Sequence, residues 1–143
     1  MRSLSGASVA LVLMLVVGSF GSVGCAKVNE IKAKKAFKSA NQAYQAQDYK
    51  KASALYEETV EADPNLASAY FFLGNSYDNL YKPSKKGDPE NDKLLEKAVD
   101  NYQKAAEKLS ASSDPANKKL GTLSLQYLVA SYGTDKLNDP AKA

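Results

Sequence analysis

Beyond Cys25 the apolar residues return every three or four positions, and that spacing points to amphipathic helices. Ala36, Phe37, Ala40, Ala43 and Tyr44 form one stripe, and Ala52, Leu55, Tyr56 and Val60 form a second. Gln47-Asp48 separates the two, and Asp63-Pro64-Asn65 ends the second. A proline suits the first turn after a break and not a helix interior. The region therefore reads as two short antiparallel helices, an αα-hairpin. The pattern then restarts: Ala36 and Tyr70 lie 34 residues apart, as do Ser39 and Leu73, Ala40 and Gly74, and Ala43 and Tyr77.

The second helices repeat as well. Ala52 and Tyr56 in DYKKASALYEETVEADPN correspond to Ala98 and Tyr102 in KLLEKAVDNYQKAAEKL. Small residues (Ala40, Ala52, Gly74, Ala98) let helices approach closely, and tyrosines fill the spaces between hairpins. With Tyr70, Leu73, Gly74, Tyr77, Ala98, Tyr102 and Ala105 in this order, residues 33 to 132 resemble the tetratricopeptide repeat family. The resemblance implies an all-α fold of antiparallel αα-hairpins stacked as a solenoid. Repeat one would span about 33–66, repeat two about 67–110, and a partial repeat three about 115–133, within a helical domain of 29–133.

Three departures carry expectations. Ala52 and Ala98 are 46 residues apart, so the second hairpin carries 12 extra residues around 82–92. Their proline, glycine and lysine content predicts a loop. Within it Asp88-Pro89-Glu90-Asn91-Asp92 lacks the central glycine and distal glutamate of a calcium loop, and reads as a solvated turn. A third first-helix is expected after Asp114-Pro115, interrupted at Gly121, with Leu125, Leu128, Val129 and Tyr132 at the Leu-Gly and Tyr places. Residues 134–143 end on a further helix-start signal, Asp139-Pro140, and read as a truncated continuation toward at least one more helix.

The N-terminus reads as an address. Arg2 precedes Val9–Val17, an unbroken apolar run of nine, inside the range of a signal-peptide core and short of the roughly 20 residues of a membrane span. Ser22-Val23-Gly24-Cys25 resembles the lipobox of bacterial lipoproteins, although Ser22 stands where a larger aliphatic is usual. The resemblance implies a signal peptide over 1–24, lipidation of Cys25, and a short tether over 25–28 before a helix capped by Asn29. Ala26, which is not the aspartate of inner-membrane retention, implies delivery to the outer membrane, facing the periplasm.

Composition narrows the functions. The chain of 143 residues has no histidine, one cysteine and one arginine. A histidine base, a His/Cys metal site and an intrachain disulfide are thereby excluded. Lysines mixed among acids without arginine argue against nucleic-acid readout. Glu57, Glu58 and Glu61 are the available carboxylates of the second helix, but no nucleophile motif accompanies them. They read as an exposed acidic face, so no enzymatic activity, cofactor or metal is expected.

By resemblance the first helices line a concave groove. The residues facing it would be Lys34, Phe37, Asn41 and Tyr44, then Phe71, Asn75, Asp78 and Asn79. Rings supply area and amides grip a backbone, which suits a protein or peptide partner. Phe37 and Phe71 are equally consistent with inward packing. Lys27, Lys32, Lys34, Lys35 and Lys38 read either as a solvated face or as contacts to anionic headgroups. The expected function is a membrane-anchored interaction scaffold of the bacterial envelope that supports assembly of an envelope complex. A small-ligand carrier or an accessory domain of an envelope hydrolase are the alternatives.

Overall fold

Aspartates start three of the helices. Asp48 accepts from the Lys51 backbone N–H, Asp88 from those of Glu90 and Asn91, and Asp114 from that of Asn117. Each such cap contributes about 1 kcal/mol. Pro89 and Pro115 occupy the first turn after two of them, where a missing N–H costs nothing. The computed structural model describes residues 21–133, 136–139, 141 and 142, and side chains from Ala26 onward. Over these it is all-α: α1 (Gly21–Gln45), α2 (Tyr49–Ala62), α3 (Ala67–Leu80), α4 (Pro89–Leu109) and α5 (Pro115–Tyr132), with a 3₁₀ turn at Pro83–Lys85.

α1 ends without a glycine. Gln47 takes the left-handed conformation (φ 60°), the Asp48 N–H reaches the Ala43 carbonyl, and the Gln47 N–H reaches that of Tyr44. This pair of bonds closes a helix end, normally around glycine. The chain reverses in three residues and α2 runs back along α1, so that Tyr49 meets Tyr44, Tyr56 meets Asn41 and Glu58 meets Lys32. α3 and α4 pair the same way, from Tyr77 with Lys97 at one end to Tyr70 with Lys108 at the other. Each helix packs on its neighbours in sequence, and α3 also touches α5.

Alanine and tyrosine build the core as the spacing predicts. Ala40, Ala52, Ala98 and Ala105 are completely buried, as are Tyr56 and Tyr102. A side chain at Gly74 would stand 3.0 Å from both the Ala98 carbonyl and the Tyr102 ring, so α3 and α4 approach closely there. Tyr56 stacks on Phe72 (5.8 Å, 15°), and Tyr102 stacks on Tyr127 (5.1 Å, 13°). Each buried tyrosine of α2 or α4 thus lies flat on an aromatic ring of the next odd-numbered helix. Burial pushes the hydroxyls of both tyrosines far above the ordinary range, so they stay protonated.

Four sequence expectations need correction. α1 runs through Asn29, which therefore caps nothing, and residues 25–28 are helical. The 82–92 insertion is irregular only over 81–88. α4 begins at Pro89, six residues ahead of Leu95, the position 46 residues after Tyr49. Half of the 12 extra residues are therefore helix, and Asp88–Asp92 is a capped first turn and not a free one. Gly121 does not interrupt α5. Its bare Cα lets α5 rest against the end of α4, where a β-carbon would come within 2.7 Å of the Ser110 nitrogen. Finally, Leu125 and Val129 are about half exposed while Gly121 and Ser124 are buried. The inward face of α5 instead runs through Leu120, Gly121 and Ser124. The expected signal peptide falls, over residues 1–20, outside the described residues.

Asn91 holds the irregular segment to α4. Its amide oxygen accepts from the Lys82 N–H (2.8 Å), and its NH₂ donates to the carbonyls of Lys82 (3.0 Å) and Lys85 (3.1 Å). Removing a buried amide that serves three backbone groups costs about 1–3 kcal/mol. Asn91→Ala is accordingly expected to lower the unfolding free energy by that much, read as a lower urea midpoint. Asn91→Asp, which keeps an acceptor for the Lys82 N–H but turns a buried carboxylate oxygen toward the carbonyls of Lys82 and Lys85, should lose at least as much.

Candidate functional site

The odd-numbered helices share one surface, stitched by rings. Phe37 and Tyr44 of α1 meet Phe72 of α3 at 6.4 and 5.5 Å, and Phe71 of α3 meets Tyr127 of α5 at 6.0 Å. At one end of this surface lies a cleft of about 380 Å³. Tyr44, Tyr49, Asn75, Asp78, Asn79, Tyr81, Pro83, Tyr127 and Lys136 line it. The ends of α1 and α3 and the start of α2 form its floor and one wall. Tyr81 and Pro83, which follow α3, Tyr127 of α5 and Lys136 from beyond α5 form the rest.

The amides here are positioned by buried tyrosines. Tyr56 donates to Asn41 Oδ1 at 2.6 Å, and Asn75 Nδ2 donates to the Tyr102 hydroxyl at 3.3 Å. Asn41 and Asn75 are 34 residues apart, so each hairpin uses the same first-helix amide to satisfy its buried second-helix tyrosine. Asn75 is engaged further. Its Oδ1 accepts from the Tyr44 hydroxyl (2.6 Å) and from Asn79 Nδ2 (2.9 Å). Burial raises the Tyr44 hydroxyl above its ordinary range, which keeps it a donor at neutral pH. Lys136 and Asp78 form a 2.5 Å ion pair whose side chains are only 22% and 12% exposed, and this pair closes one side of the cleft.

Of the eight residues expected to line a groove, Tyr44, Asn75, Asp78 and Asn79 come together here. Phe37 is half-buried between Tyr56 and Phe72. Asn41 serves Tyr56, and Lys34 is exposed and paired with Glu30 of its own helix at 2.5 Å. Phe71 is buried against Tyr102 and Tyr127. Tyr49, Tyr81, Pro83, Tyr127 and Lys136 escaped the sequence reading. Four sit at a helix start, in a connection or beyond the last helix, where helical periodicity carries no signal. Tyr127 was lost with the shifted register of α5. Cys25 lies within α1, and its side chain is outside the description.

Two of the three acidic residues of α2, Glu57 and Glu58, are used in ion pairs. Glu57 accepts from the Tyr77 hydroxyl and pairs with Lys97 at 3.2 Å, while Glu58 pairs with Lys32 at 3.6 Å. Among the described residues no cluster of three or more carboxylate or thiol groups is placed to hold a metal ion, and no helix is long and apolar enough to cross a membrane. No protein-family model, curated protein or solved structure matches the chain.

Proposed function

We propose that this chain is a tetratricopeptide-type interaction scaffold, anchored at a bacterial envelope membrane through Cys25, that holds a protein or peptide partner in the tyrosine cleft. The carrying observation is the shared surface of α1, α3 and α5, with a cleft at its end walled by Tyr44, Tyr49 and Tyr127 and floored by positioned amides. Aromatic rings give contact area at little entropic cost, and amides satisfy a peptide backbone. The repeated Asn–Tyr bond and the repeated tyrosine stack support the reading of α1–α2 and α3–α4 as copies of one unit. Anchoring rests on the lipobox-like Ser22-Val23-Gly24-Cys25. The anchored chain would sit in the outer membrane facing the periplasm and support assembly of an envelope complex.

One feature favours a second reading, a small-ligand carrier. Tyr81 borders the cleft, and its buried hydroxyl has no hydrogen-bond partner among the described residues. The cleft volume also falls in the range of small-molecule sites. Photo-crosslinking in intact cells separates these readings. A crosslinker at exposed Asn79 is expected to capture a polypeptide, while one at exposed Gln103 on α4 does not. A small-molecule mass increment at Asn79 would favour the carrier, and equal adducts from both positions would remove the cleft as a site. Mass analysis of the membrane-extracted chain, with Cys25→Ser as comparison, reads lipidation separately.

A further inference from the structure

α1 has two opposed stripes. Ala33, Ala36, Ala40 and Ala43 are buried against the rest of the fold. Val28, Ile31, Lys35, Lys38 and Gln42 follow the same three-and-four spacing about half a turn away, and all are exposed. Val28 and Ile31 are 64% and 67% exposed, the two most exposed large apolar side chains among the described residues. Toward the start of α1, Lys32 pairs with Glu58 of α2. Every residue from Ala26 to Lys32 is exposed, so this end of α1 projects past its partner helix. A lone helical segment is marginal in water and is held by packing an apolar face.

The charge on this projection is lopsided. Residues 26–38 carry Lys27, Lys32, Lys34, Lys35 and Lys38 against a single acid, Glu30, which Lys34 engages. Lys27, Lys35 and Lys38 stand with Val28 and Ile31 on the outward side. A helix that pairs exposed branched apolar residues with flanking lysines has the chemistry of an interfacial helix on anionic lipid. Chain order agrees: in sequence, the described part of α1 follows shortly after the apolar run Val9–Val17.

We infer that the outer face of α1 from Lys27 to Lys38 docks on an anionic lipid surface, with Val28 and Ile31 entering the headgroup boundary and the lysines meeting phosphates. The inference rests on the anchored reading only for bringing α1 near a membrane. Docking would lay the first helix along the bilayer and fix how the cleft faces the periplasm. Each lysine held at such a surface strengthens binding by a factor of about five, and salt screens that contribution.

The test uses the full chain with Cys25→Ser throughout, so that lipidation plays no part and its failure would leave this result standing. A single environment-sensitive fluorophore is placed at Gln42→Cys on the outer stripe, or at Gln103→Cys on α4. Vesicles are phosphatidylcholine alone or mixed with phosphatidylglycerol. The Gln42 probe is expected to shift to the blue on the mixed vesicles only, and added salt should reverse the shift. The triple substitution Lys27→Gln, Lys35→Gln, Lys38→Gln should weaken this response more than tenfold, and Val28→Ser with Ile31→Ser should abolish the blue shift. Since these side chains are exposed, circular dichroism should show the variants equally folded. The inference is overturned if both probes respond alike or if the lysine variant binds like the parent. It is equally overturned by a concentration-dependent shift without vesicles, which would mean that a second copy covers the face.

Discussion

Truncating Tyr102 to alanine is expected to destabilise the fold by about 3–5 kcal/mol, the range for removing a large buried ring. Tyr102 is completely buried, stacks on Tyr127, touches Phe71 and lies under Gly74. It therefore joins three helices at once, and its loss leaves a cavity that α3, α4 and α5 all border. A domain of this size has a margin of about 5–15 kcal/mol, so the variant would retain little of it. Tyr102→Phe isolates the polar part. It keeps the ring and removes only the partner of Asn75 Nδ2, at a cost of about 1 kcal/mol. Urea unfolding followed by circular dichroism measures both. Equal losses in the two variants would contradict the central position of the ring.

The second large effect is expected at Gly121. A β-carbon there meets the Ser110 nitrogen at 2.7 Å, the Leu109 carbonyl carbon at 2.9 Å and the Ser110 Cα at 3.0 Å. All three are backbone atoms at the end of α4 and cannot swing aside. Gly121→Val should push α5 away from α4 and cost about 3 kcal/mol, at the upper end for overpacking. Gly121→Ala is the sharper comparison. In an unpacked helix that change would gain about 1 kcal/mol from propensity. Here it is expected to destabilise, and a raised melting temperature would show that α5 and α4 do not approach so closely. Tyr127 lines the cleft from α5, so both variants should also loosen the capture at Asn79.

The same glycine shows where sequence reasoning stops. Gly121 looks like a helix breaker because propensity is a local property, whereas its actual use depends on a neighbour eleven residues earlier. The helices themselves were legible because their breaks are chemically explicit: Asp48, Asp63-Pro64 and Asp114-Pro115 stand at observed boundaries. Ala40, Ala52 and Ala98 were legible as packing sites because a small residue at a repeated spacing has few other uses. Amides are less informative. Asn41 and Asn75 look the same in sequence whether they grip a partner or satisfy an internal hydroxyl, and the fold uses both on tyrosines. Asn29 resembles a cap, yet the helical run around it is long enough to pass through. Of the nine cleft residues, Tyr49, Tyr127 and Lys136 are brought beside α3 only by the folded chain.

Asn91 has a consequence for anything that enters the cleft. By fastening Lys82 and Lys85 to the first turn of α4 from both sides of the intervening residues, it makes the brim at Pro83 a fixed rail and not a swinging flap. A guest meets a mouth of set width on that side, so selection there is by shape at entry. The Lys136–Asp78 pair, which holds the chain beyond α5 against α3, is the contact a larger guest would have to break.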